Sequence, residues 1–125
     1  MSLEVRTSGS NSIVTGTTNN YLKIGENMPF EEESLIITCS KLNRIYTGSL
    51  YAFVNDEPAN KTVCLEYDYS PMHADDDPRF CLKQQFIFKF ELSKTIDHFD
   101  VLCRFVDTAD LTDRVSLTLY KLCKL

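Results

Sequence analysis

Two acidic segments of the chain carry residue types that bind a hard metal ion. The first reads "MHADDDPRF" and the second reads "DTADLTD". Carboxylate oxygens are the ligands that calcium prefers, so the two segments would form a calcium site if the fold brought them to one end. The alternative is a pair of solvated turns, because Asp and Pro end strands and open turns. The carboxylates are those of Asp75, Asp76, Asp77, Asp107, Asp110 and Asp113.

A cysteine and a histidine offer a second kind of chemistry. Cys81 follows His73 by eight residues, and a thiolate beside an imidazole base is a nucleophile. No sequence signature of a catalytic family surrounds this pair or His98, and no glycine-rich phosphate loop occurs. We therefore expect a protein that is not an enzyme and has no catalytic residues. A small hydrolase-type enzyme that uses such a pair is the third hypothesis, after the two binding functions described below.

Aromatic side chains give a third lead. Tyr51 and Phe53 alternate with apolar neighbours in "GSLYAFVN", so a strand would point both of them outward. Together with Tyr67 and Tyr69 they would form a sticky sheet face, because Tyr and Phe are enriched at protein interfaces. The alternative is that the core absorbs each of them. An exposed edge strand would offer another route, by pairing with a strand of a partner.

Charge and length limit the partners. The formal net charge of -5 and the scattered lysines and arginines argue against nucleic-acid binding, which needs clustered basic residues. No apolar run approaches the ~20 residues of a membrane span. We expect a flexible Ser- and Thr-rich tail at residues 1–11 and a single domain at residues 12–125.

The cysteines bear on the location of the protein. Their odd number, wide spacing and lack of a C-x-x-C motif favour free, buried thiols over a disulfide framework. That interpretation predicts an intracellular, cytoplasmic protein. The alternative is a secreted or extracellular protein, because "NKT" at Asn60 is a glycosylation sequon. The five cysteines are Cys39, Cys64, Cys81, Cys103 and Cys123.

The dominant pattern along the chain is alternation with a period of two, which is typical of strands. "KQQFIFKFEL" places Phe86, Phe88 and Phe90 on one face. "FDVLCRFVD" is apolar on both faces, as in a central strand, and residues 34–40 predict a strand after a helical turn at 29–33. We expect an all-β fold, an antiparallel two-sheet β-sandwich of about seven strands, with a jelly roll or a closed barrel as the alternative.

The last third of the chain resembles the end of a C2 domain. "FIFKFEL" and then "DVLCRFVDTADLTDRVSLTLYKL" read as two strands, an acidic loop and a final strand. This resemblance implies a module that binds calcium or lipid through loop aspartates. Two departures weaken that implication: the acidic loop has D-x-x-D in place of D-x-D, and the early loop "SKLNRIYTGS" has no Asp.

The leading hypothesis is a non-enzymatic protein–protein interaction module that uses loops, an aromatic sheet face or an edge strand. Its partner would be another protein, with self-association as one form of that binding. The C2-like calcium or lipid binding module is the alternative. We expect no cofactor apart from calcium in that second case.

Overall fold

The structure is a computed structural model, and it describes residues 1–8, 13–15, 21–23, 32–41, 48–67, 80–91, 98–107 and 112–122. Ten strands lie within these residues, and β2, β3 and β6 have only two or three residues each. In chain order the strands are β1 (Ser2–Thr7), β2 (Val14–Thr15), β3 (Tyr21–Lys23), β4 (Glu32–Ser40), β5 (Gly48–Val54), β6 (Glu57–Pro58), β7 (Asn60–Tyr67), β8 (Cys81–Glu91), β9 (His98–Asp107) and β10 (Thr112–Leu122).

The strands form two sheets. The first sheet has the order β2-β1-β4-β8-β7, and the second has the order β3-β10-β9-β5-β6. Each pairing is antiparallel except that of β3 with β10, which is parallel. The prediction of an all-β, two-sheet sandwich is confirmed, and the sheets do not close into a barrel. Within the described residues there is no helix that could cross a membrane.

The order of the long strands is that of a constant-type immunoglobulin sandwich. That architecture puts its first, second, fifth and fourth strands in one sheet and its third, sixth and seventh in the other. The long strands here divide in the same way, with β1, β4, β8 and β7 against β5, β9 and β10. The tryptophan of antibody domains has no counterpart, since the chain contains no Trp. Unrelated sequences share this architecture, so it implies no function.

Alternate side chains of the two sheets meet in one apolar layer. Phe86 and Phe90 of β8 are buried, and Phe88 packs against the same core, as the period of two predicts. The rings of Phe90 and Phe99, from opposite sheets, have centroids 5.0 Å apart. Burying one large apolar side chain contributes roughly 1.5–3 kcal/mol, so this layer is the main source of stability.

Three predicted elements differ from the structure. Residues 2–7 of the expected flexible tail form β1, because Leu3 and Val5 alternate into the core. Strand β4 is confirmed but begins at Glu32, so residues 32 and 33 are extended rather than helical, and residues 29–31 lie outside the described residues. Strand β9 is not buried on both faces: Arg104 is exposed, because no described layer covers the outside of the second sheet.

The prediction of free cysteines is wrong for four of the five. Cys39 on β4 is bonded to Cys103 on β9, and Cys64 on β7 is bonded to Cys81 on β8. Cys39 and Cys103 are both fully buried, so each resembles an ordinary apolar core residue in the sequence. They bond because they face each other across the sandwich, at the position of the inter-sheet disulfide of antibody domains. Cys123 lies outside the described residues.

Candidate functional site

The outer side of the second sheet carries Tyr51 and Phe53, two of the four aromatic residues that the sequence predicted for a sheet face. Tyr51 is 48% exposed and Phe53 is half-buried, whereas Leu50, Ala52 and Val54 between and beside them are buried. Alternation along β5 therefore turns both rings outward. We call this surface the second-sheet face. Its main members are Tyr51, Phe53, Pro58, Asp100, Leu102, Arg104, Arg114, Ser116 and Thr118.

One end of the second-sheet face is cationic. Tyr51 lies opposite Arg104, and Arg104 lies opposite Arg114 on the next strand. Both arginines are exposed, and neither guanidinium forms an ion pair with a carboxylate of the described residues. Like charges directly opposite each other destabilise a sheet. The fold therefore places the two guanidinium groups beside the Tyr51 ring, although their repulsion slightly destabilises the sheet.

The middle of the face is apolar and concave. Phe53 lies opposite Leu102, and Leu102 lies opposite Ser116. A depression of about 190 Å³ beside Phe53 is lined by Leu102, Ser116, Thr118 and Asp100, among others. A second depression of about 190 Å³ is lined by Phe53, Tyr51 and Pro58 but also by Phe86 of the first sheet, so it lies at the edge of β5 between the two sheets. Phe53 stands between two hollows that a partner's side chains could fill.

The other end of the face is anionic and fixed by hydrogen bonds. The Thr118 hydroxyl donates to Asp100 Oδ1 at 2.9 Å, and His98 Nε2 lies 3.9 Å from Asp100 Oδ2. The backbone N–H of Asp100 donates to Asn55 Oδ1 at 2.9 Å, and the N–H of Asn55 donates to the Asp100 carbonyl at 2.9 Å. Asn55 and Asp56 have φ of 50° and 66°, as expected for the tight turn of a hairpin.

The remaining predicted aromatic residues do not join this face. Tyr67 lies on β7 in the first sheet and is half-buried. Tyr69 lies outside the described residues. The structure therefore brings Tyr51 and Phe53 together and leaves Tyr67 on the other sheet.

The acidic segments begin and end at one end of the sandwich. Cys39 and Cys103, which join the sheets, lie close to the end of β4 and the end of β9. Residues 68–79 connect the end of β7 to the start of β8, and residues 108–111 connect β9 to β10. The antiparallel registers therefore put all four of these strand termini at the same end as that disulfide.

The carboxylates themselves are only partly described. Asp113 is exposed, with its Oδ2 at 3.7 Å from the Met1 amino group and its Oδ1 accepting the backbone N–H of Arg114 at 2.9 Å. Asp107 ends β9, and its side chain lies outside the described part of the structure, as do Asp75–Asp77 and Asp110. Among the residues that are described, no cluster of three or more potential metal ligands occurs.

The candidate nucleophile is not a free thiol. Cys81 is bonded to Cys64, so it offers no thiolate unless that bond is reduced. His73 lies outside the described residues, and His98 is exposed at the start of β9. The Cys81 and His73 pair therefore loses its attacking group.

Sequence reasoning missed Arg104 and Arg114 as members of a site. Their pairing depends on the β9–β10 register, which is regular over nine residue pairs from Thr112↔Val106 to Tyr120↔His98. One signal was present in the sequence: both arginines lie five residues from Ala109. Two antiparallel strands paired symmetrically about Ala109 would place them opposite each other, as the β9–β10 register does.

No protein-family profile, no curated protein and no solved structure matches this chain significantly. The second-sheet face is therefore interpreted from its own geometry.

Proposed function

We propose that this chain is a non-enzymatic protein-binding module and that the second-sheet face binds the partner. The observation that carries the proposal is an exposed row of Tyr51, Arg104 and Arg114 beside the half-buried Phe53. Tyrosine and arginine are among the residues that contribute most to binding energy at protein interfaces. Arginine and aromatic side chains are also enriched there relative to other surfaces.

The lack of an ion-pair partner for Arg104 and Arg114 among the described residues strengthens the proposal. A guanidinium binds a carboxylate through two parallel hydrogen bonds, which gives both affinity and orientation. Arg104 and Arg114 have no such partner among the described residues. A partner's carboxylate would remove the repulsion between them, and it would do so next to an apolar surface that excludes water.

Affinity capture with matched variants tests this function. Tyr51→Ser removes an exposed ring from the second-sheet face, and Leu65→Ser removes an exposed side chain of similar accessibility from β7 in the first sheet. We expect capture of a partner from the native source to fall by at least ~tenfold with Tyr51→Ser and to persist with Leu65→Ser. Both variants should melt near the wild-type temperature. Loss of the partner with Leu65→Ser alone would place the binding site on the first sheet.

We further propose a secreted or extracellular location, the alternative to the cytoplasm. Disulfides persist in oxidising compartments and are rare in the cytosol. The chain has two of them, and Asn60 of the sequon is exposed on an edge strand. Both features support the same compartment.

Calcium binding is the second candidate function. It is favoured by the strand termini that flank residues 68–79 and 108–111, which lie at one end of the sandwich. A calcium-dependent rise in melting temperature, abolished by Asp75→Asn, Asp76→Asn and Asp77→Asn together, would support it. Equal melting temperatures with calcium and with a chelator would exclude it.

A further inference from the structure

We propose that the second-sheet face binds a second copy of this chain, in a two-fold symmetric dimer. The inference rests on the proposed function and narrows its partner to one protein. It follows from the order of charges along β9, where Asp100, Leu102 and Arg104 all point outward. The face is anionic at one end, apolar in the middle and cationic at the other end.

The charge order fixes which symmetry axis would work. Successive outward residues on a strand are ~7 Å apart, so Asp100 and Arg104 lie at equal distances on either side of Leu102. A two-fold axis along the strands would stack Arg104 on Arg104 of the second copy. An axis across the strands, at the level of Leu102, would place Arg104 over Asp100 of the second copy. In a two-fold interface each such contact occurs twice.

The neighbouring strand adds to the same pairing. Arg114 lies opposite Arg104, and Thr118 lies opposite Asp100. The same axis therefore brings both guanidinium groups of one copy to the Asp100 and Thr118 pair of the other. The Asp100 carboxylate already accepts a hydrogen bond from the Thr118 hydroxyl, and the Asp100 backbone N–H donates to Asn55 Oδ1. Less of its freedom therefore remains to be lost on binding.

The residues in the middle of the second-sheet face are compatible with a position on the two-fold axis. Residues at the level of Leu102 would meet their own counterparts, so they must tolerate self-contact. Leu102 and Phe53 are half-buried apolar side chains, and Ser116 is small. None of the described residues in this central row is charged, whereas Asp100 and Arg104 stand on either side of it.

The size of the face predicts a weak dimer. Four strands about 4.8 Å apart and the run from His98 to Val106 give a surface of roughly 27 Å by 19 Å, on the order of 500 Å² per copy. The total of about 1,000 Å² is near the lower limit of specific interfaces. We therefore expect a dissociation constant in the micromolar range, about the weakest affinity of a specific interface.

Sedimentation equilibrium with charge-reversed chains tests the dimer. One chain carries Arg104→Asp and Arg114→Asp, and a second chain carries Asp100→Arg. Each reversed chain places like charges together across the axis, so its dissociation constant should rise at least ~tenfold. An equimolar mixture of the two should associate again, because opposite charges then meet at both ends. Glu4→Arg, on the exposed outer side of β1, is the control and should associate like the wild type.

The outcomes separate this inference from the proposed function. A wild-type chain that stays monomeric at concentrations up to about 1 mM overturns the dimer, because that concentration is well above the expected dissociation constant. So does a dimer that is insensitive to reversal, or a mixture that fails to associate. The capture experiment with Tyr51→Ser and Leu65→Ser then still judges the face as a site for another protein. Should a reversed chain melt early, Arg104→Gln with Arg114→Gln and Asp100→Asn provide a neutral pair, each expected to weaken the wild-type dimer.

Discussion

Cys39 and Cys103 join the two layers of the sandwich, with their Cα atoms 5.8 Å apart. One lies on β4, between β1 and β8, and the other lies on β9, between β10 and β5. The bond between Cys64 and Cys81 instead links the edge strand β7 to its neighbour β8 within the first sheet. One disulfide fixes the sheets to each other, and the other fixes an edge.

The two bonds should differ in their effect on stability. Loss of the loop constraint over 64 residues costs about 4 kcal/mol in the chain-entropy treatment. The loop of 17 residues between Cys64 and Cys81 is worth about 3 kcal/mol by the same reasoning. In urea unfolding, the double variant Cys39→Ala with Cys103→Ala should therefore lose more free energy of unfolding than the double variant Cys64→Ala with Cys81→Ala. The opposite order would show that the edge bond is the more important of the two.

The number of reactive thiols provides a direct check on both bonds. Four of the five cysteines are bonded in pairs, so only Cys123, which lies outside the described residues, could carry a thiol. A chain purified without reductant and unfolded in denaturant should react with one equivalent of a thiol reagent. Three or more equivalents would contradict at least one of the disulfides.

We expect the buried amide of Gln84 to lower the free energy of unfolding. It is 1% exposed, lies opposite Cys39 on one side and Cys64 on the other, and its Nε2 has no hydrogen-bond partner among the described residues. An unsatisfied buried donor costs about 1–3 kcal/mol. Gln84→Met keeps the unbranched shape and should raise the free energy of unfolding by about 1 kcal/mol.

The neighbouring glutamine is the matched control for that change. Gln85 is half-buried and alternates with Gln84, so it faces the outer side of the first sheet. Gln85→Met should change the free energy of unfolding by less than ~0.5 kcal/mol. If Gln84→Met destabilised the chain by more than ~2 kcal/mol, the amide would have to be hydrogen-bonded after all.

Gly48 is required by a close approach of β5 to β9. A Cβ at this position would lie 2.7 Å from the Phe105 ring and still closer to the carbonyl oxygen of Val106. The ring has little room to move, because the Lys41 ammonium lies 4.4 Å from its centroid. Gly48→Ala should therefore cost about 1–3 kcal/mol in thermal or urea unfolding. Ser49→Ala is the control and should unfold like the wild type.

The sequon at Asn60 should be used if the chain passes through a secretory pathway. Asn60 and Thr62 are both exposed on β7. Expressed behind a secretion signal in eukaryotic cells, the chain should carry a glycan that Asn60→Gln and Thr62→Ala both abolish. Thr62→Ser retains the sequon and should keep the glycan. A wild-type chain without any glycan would contradict this prediction.

The strands were predictable because burial follows local alternation. Phe86, Phe88 and Phe90 alternate with residues that are mostly polar, and the structure buries or half-buries all three. Strand β1 was missed because its pattern is short and lies beside a Ser-rich stretch. Strand β1 is held by its pairing with β4, which lies about 30 residues further along the chain. The local composition therefore gave no sign of this strand.

The site and the disulfides were harder to predict because they depend on distant pairings. Tyr51 and Phe53 could be assigned to the outside of a strand from alternation alone. Which residues lie beside them depends on the register between β5 and β9, which are separated by about a third of the chain. Cys39 and Cys103 raise the same difficulty, since each is locally indistinguishable from a small apolar residue and only the stacking of the sheets brings them together.

The bond between Cys39 and Cys103 also decides what a protease could release. A single cut at any of the 64 peptide bonds between them leaves two fragments that stay covalently attached. Such a nicked molecule would run as one band on a gel without reductant and as two bands with it. Both halves of the sandwich would remain in one molecule after cleavage of any segment that connects them within this span.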